Sequence, residues 1–261
     1  MAEVALSVDE HGVGIIEMDR APAKNALNRS MMSQLDAILH DIHQRKPEVK
    51  ALIIRSKYAE FFSAGGDIKE WYAYDTIEAY QEGYRGGKIF AALEELPVVT
   101  IAAISGTCLG GGCELALSCD IRICTPDATF GQPEILLGNG PSWGGYYRLA
   151  RTVGIAAAKE MILLGDTYTA AEAHRLGLVN RVVPTYEELL KTAYVTARKA
   201  ALNADTAAVS KLVLNRIQQD TVSTNFLIDA HSAAYFAGTE TSKTRKQAFM
   251  EKRLKELLEI R

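Results

Sequence analysis

The sequence predicts an α/β fold followed by a helical C-terminal section. Short β-rich runs alternate with helical text over roughly the first two-thirds of the chain, and from Ser142 onward the text is almost wholly helical. The β-branched run at 98–104 is of the kind buried on both faces in a parallel sheet.

Residues 4–8 and 14–18 are β-rich and are joined by the turn formers Asp9, Glu10, His11 and Gly12, which predicts an opening hairpin. Ser30 is placed to cap a helix running to about Gln44, with Met31, Leu35, Ile38 and Ile42 on one stripe. A short apolar strand is expected at 51–56, then a loop at 57–66. Another helix is expected at 76–95, weakened by Gly86 and Gly87 and stopped by Pro97. After the 98–104 strand come a glycine-rich turn at 106–112, the start of a short helix at 114–118 and a strand at 121–124. Helices are then expected at 143–153, 156–164, 170–176, 186–201, 207–219, 222–235 and 241–258, interrupted only by a strand at 178–183. The expected division is a core of residues 1–195 and a helical section at 196–261. The last helix, with Phe249, Leu254, Leu257 and Leu258 on one side, reads as a solvated helix docking by one stripe. The residues contain no repeat at a fixed period and no low-complexity tract.

Bulk properties narrow the function classes. The 261 residues are 48% hydrophobic and 23% charged, which suffices for a sizeable core. Lys and Arg number 29 against 32 for Asp and Glu, so a net charge of −3 gives no long-range pull toward nucleic acid or anionic lipid. Residues 1–10 carry no basic lead into an apolar stretch, and the longest apolar runs are too short to span a bilayer, so a cytoplasmic protein without membrane or nucleic-acid partners is expected. Cys108, Cys113, Cys119 and Cys124 form no C-x-x-C pair and read as buried thiols packing as small hydrophobes. The five histidines are scattered without metal-ligand spacing, and no metal is expected.

Three stretches carry chemistry, and their value lies in occurring together and in order. The first is Phe62, Ser63, Ala64, Gly65, Gly66, Asp67 and Ile68, where two glycines permit close approach of a ligand to the backbone. Its plain alternative is a surface turn leading into a helix at Asp67. The second, residues 106–114, runs from strand-like text through Gly110, Gly111 and Gly112 to Glu114. The N–H groups of a helix's first turn lack internal partners, so such a terminus stabilises an anion. If the N–H groups of Gly111 and Ala64 converge, they form a two-donor hole for a thioester oxygen gaining charge. A phosphate loop is excluded, since no G-K-[ST] follows the glycines. The third is 130–138, where Glu134 precedes Ile135, Leu136 and Leu137. Such a carboxylate either turns to water or sits in an apolar site, where desolvation raises its pKa toward values useful for proton transfer.

In this order, residues 62–68, 110–115 with Cys119 and Asp120, and 130–138 resemble the crotonase superfamily. The similarity extends over nearly the whole chain, from Asp19, Arg20 and residues 25–28 through Gly165, Asp166, 170–173 and 177–179. The resemblance implies a spiral of repeated ββα units, with C-terminal helices supporting homotrimers or hexamers made of two trimers. It also implies an acyl-CoA thioester substrate, coenzyme A entering as part of that substrate and no separate cofactor. Matched position by position, Glu114 activates water and Glu134 protonates Cα, as in the hydratase branch. Ala64 and Gly111 match the oxyanion-hole donors. Substrate contacts are expected from Ala64, Gly65, Gly66, Asp67 and Ile68, from Lys24 and Ala26 near the nucleotide, and from Leu137 and Trp143 around the acyl group.

One departure from the pattern lies after Gly138. Hydratases usually carry small residues there, whereas this chain reads Asn139, Gly140, Pro141, Ser142, Trp143, Gly144, Gly145, Tyr146 and Tyr147. Trp143 either reshapes the acyl pocket or packs at a helix start. The reading is thus an enoyl-CoA hydratase, with three rivals: an enoyl-CoA isomerase, a dehydratase for an unusual acyl-CoA, and a crotonase-fold scaffold or RNA-binding protein.

Overall fold

A computed structural model describes residues 2–44, 48–71, 75–217 and 244. Apart from residue 244, the helices expected at 222–235 and 241–258 lie outside the described residues.

The opening hairpin forms as expected. β1 (Val4–Val8) pairs antiparallel with β2 (Val13–Met18), and the Asp9 carboxylate closes the turn by accepting from the N–H groups of His11 and Val13 at 2.9 and 2.8 Å. Helix α1 (Arg29–Gln44) starts differently from expectation. Asn28 is its cap, accepting from the Met31 N–H at 2.8 Å, and Ser30 lies within the first turn. The buried stripe includes Met32 and Leu39, while Ile38 is only partly buried.

β3 (Ala51–Ser56) is followed by β4 (Phe61–Ser63), α2 (Ile68–Trp71) and α3 (Thr76–Glu94). Next come β5 (Val99–Ile104), β6 (Thr107–Leu109) and α4 (Gly111–Leu117). β7 (Ile121–Cys124) and β8 (Thr129–Gly131) lead through a 3-10 helix (Pro133–Leu137) to α5 (Gly145–Val153) and α6 (Ile155–Leu164). β9 (Thr167–Thr169), α7 (Ala170–Arg175), β10 (Arg181–Val182), α8 (Tyr186–Ala201) and α9 (Ala204–Ile217) complete the described chain.

Two segments expected as a loop and a turn therefore contain strands, β4 and β6. The helical second part holds β9 as well as a strand at 181–182 that is shorter than the expected 178–183. Strands of two or three residues carry too little alternation to be legible in sequence.

The strands divide between two sheets. β3, β5 and β7 are parallel in a six-stranded sheet of order β1-β2-β3-β5-β7-β10. The strand following each of them, β4, β6 or β8, lies in a four-stranded sheet of order β4-β6-β8-β9, again parallel among those three. Each strand pair is followed by a helix, so the chain winds as repeated ββα units, the expected spiral.

Alternation explains the two cores. On β3 and β5, Ile53, Ile101 and Ala103 face Leu189, Ala193 and Ala197 of α8. The intervening Leu52, Ile54, Ala102 and Ile104 face the larger core with α1, α3 and α4. Both faces of the large sheet are thus covered, which is why β5 reads as an apolar run broken only by Thr100. All four cysteines are free and buried among these apolar residues, as expected.

Candidate active site

The three chemistry-bearing stretches begin where β4, β6 and β8 end. These strands are adjacent and parallel, so the loop at 64–67, the turn at 110–111 and the 3-10 helix with Glu134 emerge side by side at the carboxyl end of the small sheet. That edge is where open parallel sheets offer free amides and side chains to a ligand.

The first two loops touch. Gly65 has φ +102°, and a Cβ there would lie 2.9 Å from the Leu109 carbonyl and 3.4 Å from the Gly111 nitrogen, so only glycine serves. A Cβ on Gly111 would likewise lie 3.4 Å from the Gly66 nitrogen. The expected donor Ala64 is not the partner of Gly111: its N–H donates to the Lys24 carbonyl at 3.0 Å. Gly65 donates to Ser63 Oγ at 3.2 Å and Asp67 to the Leu27 carbonyl at 3.1 Å. Among the described residues, the N–H groups of Gly66 and of Gly111, the first residue of α4, have no acceptor. The two neighbouring amides left without an acceptor are therefore those of Gly66 and Gly111, not the expected Ala64 and Gly111. The expected Ala64 amide is engaged because the segment before α1 lies against the loop, its Lys24 and Leu27 carbonyls taking the Ala64 and Asp67 amides.

Glu114 lies on α4, whose residues are all buried, and is 2% exposed. Its Oε1 accepts from the N–H groups of Trp143 and Gly145 at 2.7 and 2.8 Å. Burial pushes its carboxyl up to about 7, the nearby Glu134 charge adds to that, and the two amides and Arg148 offset part of it. Glu134 is half-buried, and its carboxyl is also raised by burial. It stands next to Gly110, where a Cβ would lie 3.1 Å from its Oε1. Gln132, fully buried, faces the same carboxylate: with its amide nitrogen turned inward it donates to the two oxygens at 2.9 and 3.3 Å. Gln132 was not singled out from sequence, since a buried amide carries no spacing signature.

The remaining expected contacts are spread around this centre. Asp67 is held in an ion pair with Arg20 Nη2 at 2.7 Å and caps α2 through the Lys69 N–H. Ile68 and Leu137 are exposed, as is Lys24, while Ala26 is half-buried. Lys24 and Asn25 take positive φ, and Asn25, wholly buried, donates to Ser56 Oγ and the Phe62 carbonyl at 2.8 and 3.1 Å. The segment before α1 thereby braces the first loop. Trp143 is 3% exposed and packs edge-on against Phe90, ring centroids 5.4 Å apart. Its benzo edge occupies the place a Gly111 side chain would take, so the packing residue also forms the floor behind the free amides.

The description enoyl-CoA hydratase/isomerase belongs to a family model that matches residues 9–257 of the chain. The protein belongs to this family. The short-chain-enoyl-CoA hydratase of Clostridium acetobutylicum is 40% identical over 245 residues, covering 94% of this chain and 93% of that protein. The crotonyl-CoA hydratase of Syntrophomonas wolfei is 35% identical over 244 residues, with 94% of each covered. A crystal structure of an enoyl-CoA hydratase from Bacillus anthracis superposes with a TM-score of 0.91 at 30% identity, covering 97% of both chains. No helix among the described residues is long and apolar enough to cross a membrane.

Proposed function

We propose that the chain hydrates trans-2-enoyl-CoA thioesters reversibly to 3-hydroxyacyl-CoA. The observation that carries the reading is the meeting of two acceptor-free amides, Gly66 and Gly111, with two raised-pKa carboxyls at one sheet edge.

In this reading the thioester oxygen accepts from both amides, which stabilise it best when it carries enolate charge. Glu114 takes a proton from water as the water oxygen bonds to C3, and the C2–C3 π electrons move onto the thioester oxygen. Collapse of the enolate then draws a proton from Glu134 to C2. One water is added, and the proton gained by Glu114 makes good the one lost by Glu134 after exchange with solvent. Protein groups alone supply each step, and coenzyme A is bound as part of the substrate. Burial favours the first shared proton on Glu114 in the empty site; a thioester lying over half-buried Glu134 desolvates that carboxyl and draws the proton toward it. The pH profile of the rate should therefore be bell-shaped, bounded by the two ionisations of the carboxyl pair, with the Glu114 carboxyl carried in the limb near 7.

The nucleotide would run past Lys24 and Ala26, and the acyl group toward Leu137 and Trp143. We further propose that the section at 196–261 builds a homotrimer or a dimer of trimers, working in the cytoplasm; light scattering at fixed protein concentration checks the size.

The test follows the conjugated thioester absorbance. It should disappear with trans-2-enoyl-CoA, and Glu114→Gln and Glu134→Gln should each lower kcat on the order of 100-fold to 10,000-fold while leaving coenzyme A binding nearly intact. A protein that instead makes this absorbance appear from 3-enoyl-CoA, and hydrates nothing, is an isomerase.

A further inference from the structure

The clamp on Glu114 is itself held from behind. The two amides that grip its Oε1 belong to Trp143 and Gly145, in the turn that starts α5. Arg148, one helical turn further and 3% exposed, reaches back over this turn and donates from Nη1 to the Trp143 carbonyl at 2.8 Å. Its Nε and Nη2 meet Glu94 Oε2 of α3 at 2.9 and 2.7 Å. The glycine pair makes room for both partners. A Cβ on Gly144 would lie 2.1 Å from Arg148 Nη1, and one on Gly145 would lie 3.0 Å from Glu114 Oε1.

We propose that Arg148, balanced by Glu94, is a positioning residue for Glu114: it fixes the turn whose amides hold that carboxyl and sets the charge behind it. The proposal rests on the hydratase reading for its catalytic meaning, but not for its geometry. A guanidinium buried at this spot makes an otherwise desolvated carboxylate easier to form, and the Glu94 anion keeps that help partial. The charged and titratable groups facing Glu114 are Glu134 from the 3-10 helix, and Arg148 and Tyr147 from α5, with Glu94 of α3 acting through Arg148.

The two partners must act with opposite sign. Arg148→Met removes the cation and should move the Glu114 titration up by about one pH unit, whereas Glu94→Gln leaves the cation unbalanced and should move it down. Two readouts apply: the limb of the kcat/KM profile near pH 7 for trans-2-butenoyl-CoA, and the carboxyl band in pH-difference infrared spectra, assigned by its loss in Glu114→Gln. KM should change less than kcat in both variants. Titrations that stay put in both variants, or move the same way, overturn the proposal. If Arg148→Met does not fold, Glu94→Gln decides alone: a lowered titration supports the proposal and an unchanged one overturns it. Because the infrared band needs no turnover, a protein that hydrates no enoyl-CoA yet shows the opposed shifts would defeat the hydratase reading and leave this one standing.

Discussion

Glu114 is an expensive residue to fold around. Its carboxyl is 2% exposed and pushed up to about 7, against an ordinary value of 4.5. The sign follows from linkage. With a folded pKa above the unfolded one, the stability tied to the bound proton is complete below about 4.5 and is lost as pH rises through about 7. Above that window the buried charge is a standing cost. Glu114→Gln keeps an acceptor for the two amides without the charge, so it should be more stable than the parent at pH 8, by about 3 kcal/mol, and no more stable at pH 4. Thermal melts at the two pH values check this.

At the scale of elements, the decisive feature is three short strands side by side. β4, β6 and β8 are each three residues long, yet each delivers one component of the site within three residues of its end. The precision comes from loop contact. Gly65→Ala would place a methyl 2.9 Å from the Leu109 carbonyl in a conformation that L residues rarely adopt, forcing the Gly66 and Gly111 amides apart. A displacement near 1 Å costs on the order of 100-fold in rate. The expected result is a folded protein with kcat/KM lowered by about that factor, measured by the loss of conjugated thioester absorbance. The longer elements were the legible ones: β3, β7 and α8 fall at their expected bounds because the mainly apolar text of Ala51–Ser56 and Ile121–Cys124 and a 16-residue amphipathic pattern carry enough signal to read. The three-residue strands were not, and with them went the fate of the Ala64 amide, which depends on the Lys24 carbonyl reaching the loop from far along the chain. Both glutamates were visible through the resemblance of residues 110–115 and 130–138 to the crotonase superfamily, whereas the apolar text around Glu134 by itself left a carboxylate turned to water equally open. Gln132 and Arg148 were invisible, since their meaning lies in partners that only the fold brings near.

For the whole molecule, α8 ties the spiral together. It spans residues 186–201 and covers the second face of the large sheet, with Leu189, Ala193, Ala197 and Ala201 buried. A boundary between 195 and 196 falls inside this helix. α9 is anchored too, through Lys211, which is 6% exposed, pairs with Asp120 at 2.9 Å and donates to the Val98 carbonyl at 3.0 Å. A chain ending at residue 195 loses Ala197 and Ala201 from the core and uncovers the sheet beneath them. It should melt well below the full chain, by more than the roughly 4 °C that 1 kcal/mol commonly moves a domain of this size. Equal melting temperatures would show that the spiral needs nothing beyond that point.

The proposed hydration depends most on whether the Gly66 and Gly111 amides grip one carbonyl oxygen. Vibrational difference spectroscopy reads this directly, using trans-2-butenoyl-CoA labelled with carbon-13 at the thioester carbonyl and bound to the double variant Glu114→Gln, Glu134→Gln, in which turnover is slowed at both carboxyls. Two hydrogen bonds aimed at the oxygen should lower the carbonyl stretch below its value for the free thioester in water. A stretch at or above the value in water would mean that the amides do not hold the oxygen, and the proposed chemistry would lose its foundation.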